Sequence, residues 1–245
     1  MEWLIFILII AVLLVFLRRV SAYEIPKIIH QTAPKDESKW PSIWKPCQES
    51  WKKHFPGYKY ILWSDEDLDD FIKTKYSWFY PLYSNFPDKM NRIDSARYFI
   101  LYEYGGIYAD MDYQCIKNFE HLLPKDKACA AESPHKGEKY QNALMVSPPK
   151  HPFWEHVFND LKENFNKGLS VTEYAGPEVI HRTADSHPEL FFAMTKEKFA
   201  QKHDDSFKHA RDAGNKYEVS TIAPEGVYAR HYGTASWGGV GDFQM

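Results

Sequence analysis

Cysteine is scarce in this chain of 245 residues and never paired. Cys47, Cys115 and Cys129 are scattered with no CxxC spacing, so neither a zinc site nor a disulfide framework is encoded, and one bridge is the most that three thiols allow. Basic excess is missing too: 30 Lys and Arg face 33 Asp and Glu, a net charge of −3 with the two signs interspersed. That removes the basic face on which nucleic-acid binding depends. No internal repeat, low-complexity tract or linker divides the sequence. The length therefore suits one α/β domain with a sizeable core and is short for two.

Aromatic residues are plentiful at 16%, with 8 Trp and 16 Tyr; such side chains fill cores and also stack on sugar faces, and composition alone does not separate the two uses. One long apolar run exists. Every residue from 3 to 17 is apolar, and Arg18 and Arg19 end the run. It is shorter than the roughly 30 Å hydrocarbon core unless flanking residues help. Val20, Ser21 and Ala22 offer the small residues of a cleavage site, but arginines after the run suit an uncleaved anchor better than a signal peptide. The expected division is a transmembrane anchor or signal segment over 1–23 and one catalytic domain over 24–245. The flanking charges, Glu2 before and two arginines after, favour a cytoplasmic domain by the positive-inside rule.

The folded part predicts a strand over 25–31, a helix over 42–54, a strand over 58–63 and a helix capped by Ser64. Apolar residues at helical spacing over 89–104 predict a helix, which Gly105-Gly106 stops, and 107–113 follows as a strand. Further strands are expected over 129–132, 144–147 and 219–223, with helices over 151–166 and 195–213. Strands alternating with helices point to a sheet with helices on its faces.

Two carboxylates at i and i+2 of a strand share one side, so Asp110 and Asp112 can reach a hard cation together while Met111 packs inward. The same pattern occurs at Asp65-Glu66-Asp67, where acids opening a helix suffice as an explanation. A doublet at the end of an apolar strand has no such excuse, because it desolvates two charges.

The run from Asp94 through Arg97, Gly105-Gly106-Ile107-Tyr108-Ala109-Asp110-Met111-Asp112 resembles the D-x-x-R, G-G-x-Y-x-D-x-D block of glycosyltransferase family 32. That family has a sugar-binding DXD region and includes α-1,6-mannosyltransferases and inositol-phosphoceramide mannosyltransferases. The opening Ile25-Pro26-Lys27-Ile28-Ile29-His30-Gln31-Thr32, the later Asn142-Ala143-Leu144-Met145 and Ala175-Gly176-Pro177, and His231 with Ser236-Trp237 resemble other family landmarks. The resemblance implies a GT-A-like single domain with a mixed, mostly parallel sheet flanked by helices.

It also implies that Asp110 and Asp112 hold a divalent cation, Mn2+ or Mg2+, with His231 as a further ligand. Asp94 and Arg97 are expected on the sugar and phosphate side, with Tyr108 lining the donor pocket. His30, Gln31, Gly106 and Trp237 are expected near the nucleotide or its diphosphate. The implied activity is retaining hexose transfer, with GDP-mannose ahead of the UDP-sugars as donor and a glycan or lipid-linked acceptor. Relatives of this kind face the Golgi lumen, against the charge bias above, and lumenal placement of a single-pass protein is the expectation. A metal-dependent phosphohydrolase would need more Asp and His ligands than are offered here. A non-catalytic, membrane-anchored carbohydrate-binding module is the remaining alternative.

Overall fold

The computed structural model describes residues 3, 5–7, 23–134, 137–165, 167–202 and 225–233. Its main sheet has six strands: β1 (Ile28–Thr32), β2 (Lys59–Trp63), β3 (Gly106–Ala109), β5 (Ala128–Glu132), β6 (Tyr140–Ser147) and β7 (Phe191–Met194), in the order β2-β1-β3-β6-β5-β7. Only β6 runs against its neighbours; β2, β1 and β3 are parallel, as are β5 and β7. A small second sheet joins β4 (Tyr113–Cys115), β9 (Ala229–His231) and β8 (Gln201–Lys202) in that order. The expected mixed, mostly parallel α/β architecture is what forms.

Both faces of the main sheet are covered, which is why β3 and nearly all of β6 are buried at successive residues rather than at alternate ones. Along β3, Ile107 enters one core with Ile29, Trp51 and Phe119, while Tyr108 enters the other with Tyr98, Phe99 and Trp154. The first core lies under α1 (Trp44–His54). The second lies under α2 (Asp65–Lys75), the short α3 (Tyr80–Ser84), α4 (Lys89–Tyr104), α5 (Pro152–Glu163), α6 (Val171–Tyr174) and α7 (Pro177–Ser186). A last short helix, α8 (Lys196–Phe199), leads into β8.

Local chemistry explains the boundaries. Ser64 and Asp67 form a full capping box at the start of α2, so the acids at 65–67 belong to a helix terminus, as the sequence suggested. Gly105 ends α4 at φ +62°, and Gly106 opens β3 at φ +92°. A Cβ on Gly106 would stand 2.5 Å from the Ile28 carbonyl oxygen, and one on Gly105 would stand 2.7 Å from Pro149. Close contact between β1 and β3 requires this glycine pair, whatever binds nearby.

Three expectations need correction. The strand expected over 107–113 breaks after Ala109: the Asp110 N–H makes a last rung to Ala143 O at 2.8 Å, and Tyr113 N–H closes a turn onto Asp110 O at 3.0 Å. The chain then leaves for the second sheet. The helix expected over 195–213 stops at Phe199, because Phe199 and Ala200 are buried and 201–202 pair with β9; residues 203–213, and the strand expected over 219–223, lie outside the described residues. The helix and edge strand α7 and β7 had not been expected, although Gly176-Pro177 marks the helix start. All three cysteines are free and buried.

Of the apolar N-terminal run, Trp3 and residues 5–7 are helical and exposed, and among the described residues no helix is long and apolar enough to cross a membrane. The rest of that expected anchor, apart from Tyr23, lies outside the described residues.

Candidate active site

In an open α/β sheet, ligands collect at the carboxyl ends of the strands where the winding reverses. Here the chain goes from β1 outward to β2, then returns to the other side of β1 as β3, so the reversal lies between β1 and β3. Thr32 ends β1 at this point and Asp110 follows β3. The antiparallel β6 brings Asn142 alongside, and α4, antiparallel to β3, brings Asp94 and Arg97.

Arg97 is the hub. It is 1% exposed; Nη2 lies 2.7 Å from Asp94 Oδ1, and Nη1 lies 3.2 Å from Asp110 Oδ1 and donates to Asn142 O at 2.9 Å. Its guanidinium also stands 4.8 Å above the Tyr108 ring. The Tyr108 hydroxyl donates to Asp110 Oδ1 at 2.8 Å and accepts from Thr32 at 2.9 Å. Tyr108 and Arg97 thus both meet Oδ1 of Asp110. Gln31 fixes the backbone of the same residue, its amide donating to Asp110 O at 3.0 Å.

Asp112 and His231 complete the group. His231 Nε2 lies 3.4 Å from Asp112 Oδ1, and the imidazole stacks on Tyr113 at 4.8 Å and 10°. One ligand atom from each of Asp110, Asp112 and His231 falls within 4.8 Å of the others. The two carboxylates thus converge through a turn, not through strand alternation, while Met111 between them is buried as expected.

The charges tell what the group lacks. Three carboxylates, Asp94 and Asp112 buried and Asp110 half-buried, stand against one guanidinium, a formal deficit that a divalent cation fits, and two carboxylates with one imidazole are a donor set for Mn2+ or Mg2+. Burial pushes Asp94 up to about 6 despite the opposing Arg97, with Asp110 adding to the rise. Asp110 is likewise raised by burial, against Arg97 and together with Asp112. For His231, burial lowers the pKa, but Asp112 and Asp110 outweigh it and the net shift is upward. Burial thus dominates the rise of the two acids, and neighbouring carboxylates that of the imidazole.

Four expected contacts are placed differently. His30 is buried with both ring nitrogens taken, Nε2 on Gly105 O at 3.0 Å and Nδ1 accepting from Trp63 at 3.2 Å, so it braces the helix-to-strand turn and does not face the crevice. Tyr108 is fully buried beneath Arg97 and supports Asp110 instead of lining a pocket. Gly106 faces Ile28. Arg97 turns both Nη nitrogens to carboxylates and the Asn142 carbonyl, and its buried Nε has no hydrogen-bond partner among the described residues. Trp237 lies outside the described residues. Asn142 and Thr32 had not been expected as part of the site, and only the landmark around 142 hinted at the first.

The family described as the glycosyltransferase sugar-binding region containing a DXD motif matches residues 41–129 of this chain, which takes in Asp94, Arg97, Asp110 and Asp112 but neither His231 nor Asn142. Inositol phosphoceramide mannosyltransferase 1 of Schizosaccharomyces pombe is 38% identical over 161 residues, covering 63% of this chain and 49% of that protein. The mannosyl phosphorylinositol ceramide synthase SUR1 of Saccharomyces cerevisiae is 39% identical over 138 residues, covering 56% and 35%. The chain spans about half the length of such relatives or less. Among solved structures, the PaToxG glycosyltransferase superposes with a TM-score of 0.52 at 17% identity, covering 69% of this chain and 72% of that one. A glycosyltransferase involved in the glycosylation of the major capsid of PBCV-1 gives 0.51 at 9%, covering 85% and 94%. At these identities the structures speak for the fold alone, and it is the GT-A-like fold. The family-32 resemblance drawn from the DXD block is borne out, and the relatives and neighbours that match are named glycosyltransferases.

Proposed function

We propose that this chain is a metal-dependent, retaining glycosyltransferase that moves mannose from GDP-mannose to an inositol-phosphoceramide-type acceptor. The observation that carries the reading is the cluster of Asp110, Asp112 and His231 at the carboxyl edge between β1 and β3. The sugar and acceptor come from the names of the relatives that match, one an inositol phosphoceramide mannosyltransferase and another a mannosyl phosphorylinositol ceramide synthase.

In this reading Asp112, Asp110 and His231 hold Mn2+ or Mg2+, which when bound supplies charge to the diphosphate as it departs. Arg97 holds Asp94 and Asp110 in place, and Asp94, at the rim of the cluster, meets sugar hydroxyls. Attack from the same face of the sugar, with the departing phosphate taking the acceptor proton, fits a site whose carboxylates are already engaged: Asp94 and Asp110 with Arg97, and Asp112 with His231. The apolar N-terminus, with a lipid-linked acceptor, goes with membrane attachment and a lumenal catalytic domain, which protease protection of sealed vesicles tests.

The test of the reaction is a panel of nucleotide sugars with Mn2+, phosphoinositol ceramide as acceptor and Asp112→Ala as control. GDP-mannose turnover that depends on Mn2+ and is lost in the variant is the expected result. Turnover of no sugar nucleotide, or equal turnover by the variant, overturns the reading.

A further inference from the structure

A separate cavity of about 360 Å3 lies between the start of α2, α3 and the first turn of α4. Asp65, Asp69, Lys73, Tyr83, Lys89 and Arg92 line it. Its size is at the small end of ligand pockets, roughly 300–1,000 Å3, and suits one substituted ring better than a chain.

The lining is divided into spent and unspent groups. Lys89 Nζ is 2.5 Å from Asp65 Oδ2, and Glu66, also at the cavity, pairs with Lys35 at 3.5 Å. Asp69 takes only a long contact from the Tyr80 hydroxyl, 3.3 Å. The Arg92 guanidinium has no hydrogen-bond or ion-pair partner among the described residues, nor does the hydroxyl of Tyr83, although that residue is 3% exposed. Burial also pushes the Tyr83 hydroxyl up, which keeps it a neutral donor. The hydroxyl itself is open to the cavity, so it and the Arg92 guanidinium stand as donors that a ligand there can meet.

The chemistry of these unspent groups is mixed. An arginine fork and Lys73 select an anion, above all a phosphate, whereas Asp69 and Asp70 accept hydrogen bonds from hydroxyls. A bare anion would not want the carboxylates, and a neutral sugar would not need the cations. Both together suit a ring polyol that carries a phosphate.

Position points the same way. β2 is parallel to β1, so its carboxyl end, where α2 begins, lies on the same edge of the sheet as Asp110. Arg92 stands two residues before Asp94 on α4, which on a helix aims the two side chains to opposite sides. The cavity therefore lies toward the same edge of the sheet as Asp110, on the other side of α4 from Asp94.

We infer that this cavity, through Arg92, Tyr83, Lys73 and the carboxylates of α2, holds the phosphorylated polyol head of the acceptor beside the donor site. The inference rests on the transfer reaction proposed above for its meaning, but its test does not need turnover. Binding of soluble glycerophosphoinositol to the full chain is measured by calorimetry without donor or metal, with myo-inositol and inorganic phosphate as separate arms. Saturable binding of glycerophosphoinositol, tighter than either arm, is expected. Arg92→Gln weakens it tenfold or more, Tyr83→Phe weakens it severalfold, and Arg92→Lys recovers part of the loss, all with unchanged thermal melting. Asp112→Ala, which empties the donor side, binds like the parent. No binding by the parent, equal binding by Arg92→Gln and Tyr83→Phe, or phosphate binding as tightly as the diester overturns the inference. Should binding behave as expected while no nucleotide sugar turns over, the transferase reading fails and the cavity stands.

Discussion

Arg97 Nη1 stands 3.2 Å from Asp110 Oδ1 while Nη2 of the same guanidinium holds Asp94 at 2.7 Å, so one buried fork fixes two carboxylates that would otherwise repel each other. Arg97→Met removes the positive charge and leaves both acids stranded in the interior, a loss of about 3–5 kcal/mol. Arg97→Lys keeps the charge but not the fork. It should fold, with Mn2+ affinity reduced on the order of 10–100-fold, as when a partner that orients a metal ligand is lost. Chemical denaturation and Mn2+ titration by electron paramagnetic resonance separate the two effects; a Lys variant with unaltered Mn2+ affinity would count against the bracing role.

Asp112 and His231 should differ in weight. Asp112→Asn removes a charged oxygen ligand and should weaken Mn2+ by about 100-fold or more, roughly 2.7 kcal/mol. His231→Gln removes a neutral one and should cost about tenfold, near 1.4 kcal/mol. The same titration checks the order, and equal effects would mean that His231 is as essential as the acids.

His30 gives a pH dependence away from the cation site. Its folded pKa is lowered from 6.5 to about 4, by burial first, with the bond to Gly105 opposing and Lys59 adding a little. Between pH 6.5 and 4 the unfolded chain binds the proton and the folded one does not. Stability is thus full above the unfolded pKa and falls as the pH drops, by about 3 kcal/mol over that window. His30→Gln should flatten this part of the curve and cost stability at neutral pH; a slope unchanged by the substitution would assign the titration elsewhere.

Gly106→Ala meets the Ile28 carbonyl at 2.5 Å in a backbone region that disfavours side chains. The expected penalty is on the order of 3 kcal/mol or more. Soluble yield and melting temperature report it, and a variant that folds like the parent would show that β1 and β3 can separate more than their contact suggests.

Much of this was legible in the order of residues. The helix over 89–104 and its glycine stop come from local periodicity and φ preference, both of which act within a turn or two. The acids at 65–67 are told from those at 110 and 112 by their surroundings, one set opening a helix and the other ending a strand. What stayed hidden depends on partners far along the chain. Asn142 meets Arg97 only because β6 runs antiparallel beside β3. The turn at 110–113 forms because the next segment has a second sheet to join, which no window around the motif reveals. His30 looks like a ligand in sequence and becomes a brace because Trp63 and Gly105 occupy both its nitrogens. Arg97 likewise turns Nη1 to partners distant in sequence, Asp110 and the Asn142 carbonyl.

The pairing of Tyr113 with His231 in the small sheet has a thermodynamic corollary. The six-stranded sheet does not include β9, so His231 is carried on a strand of the smaller sheet. Linkage then works in both directions: an ion that prefers the docked strand also clamps it. Ion capture at Asp110, Asp112 and His231 and the seating of β9 would then be two faces of a single equilibrium.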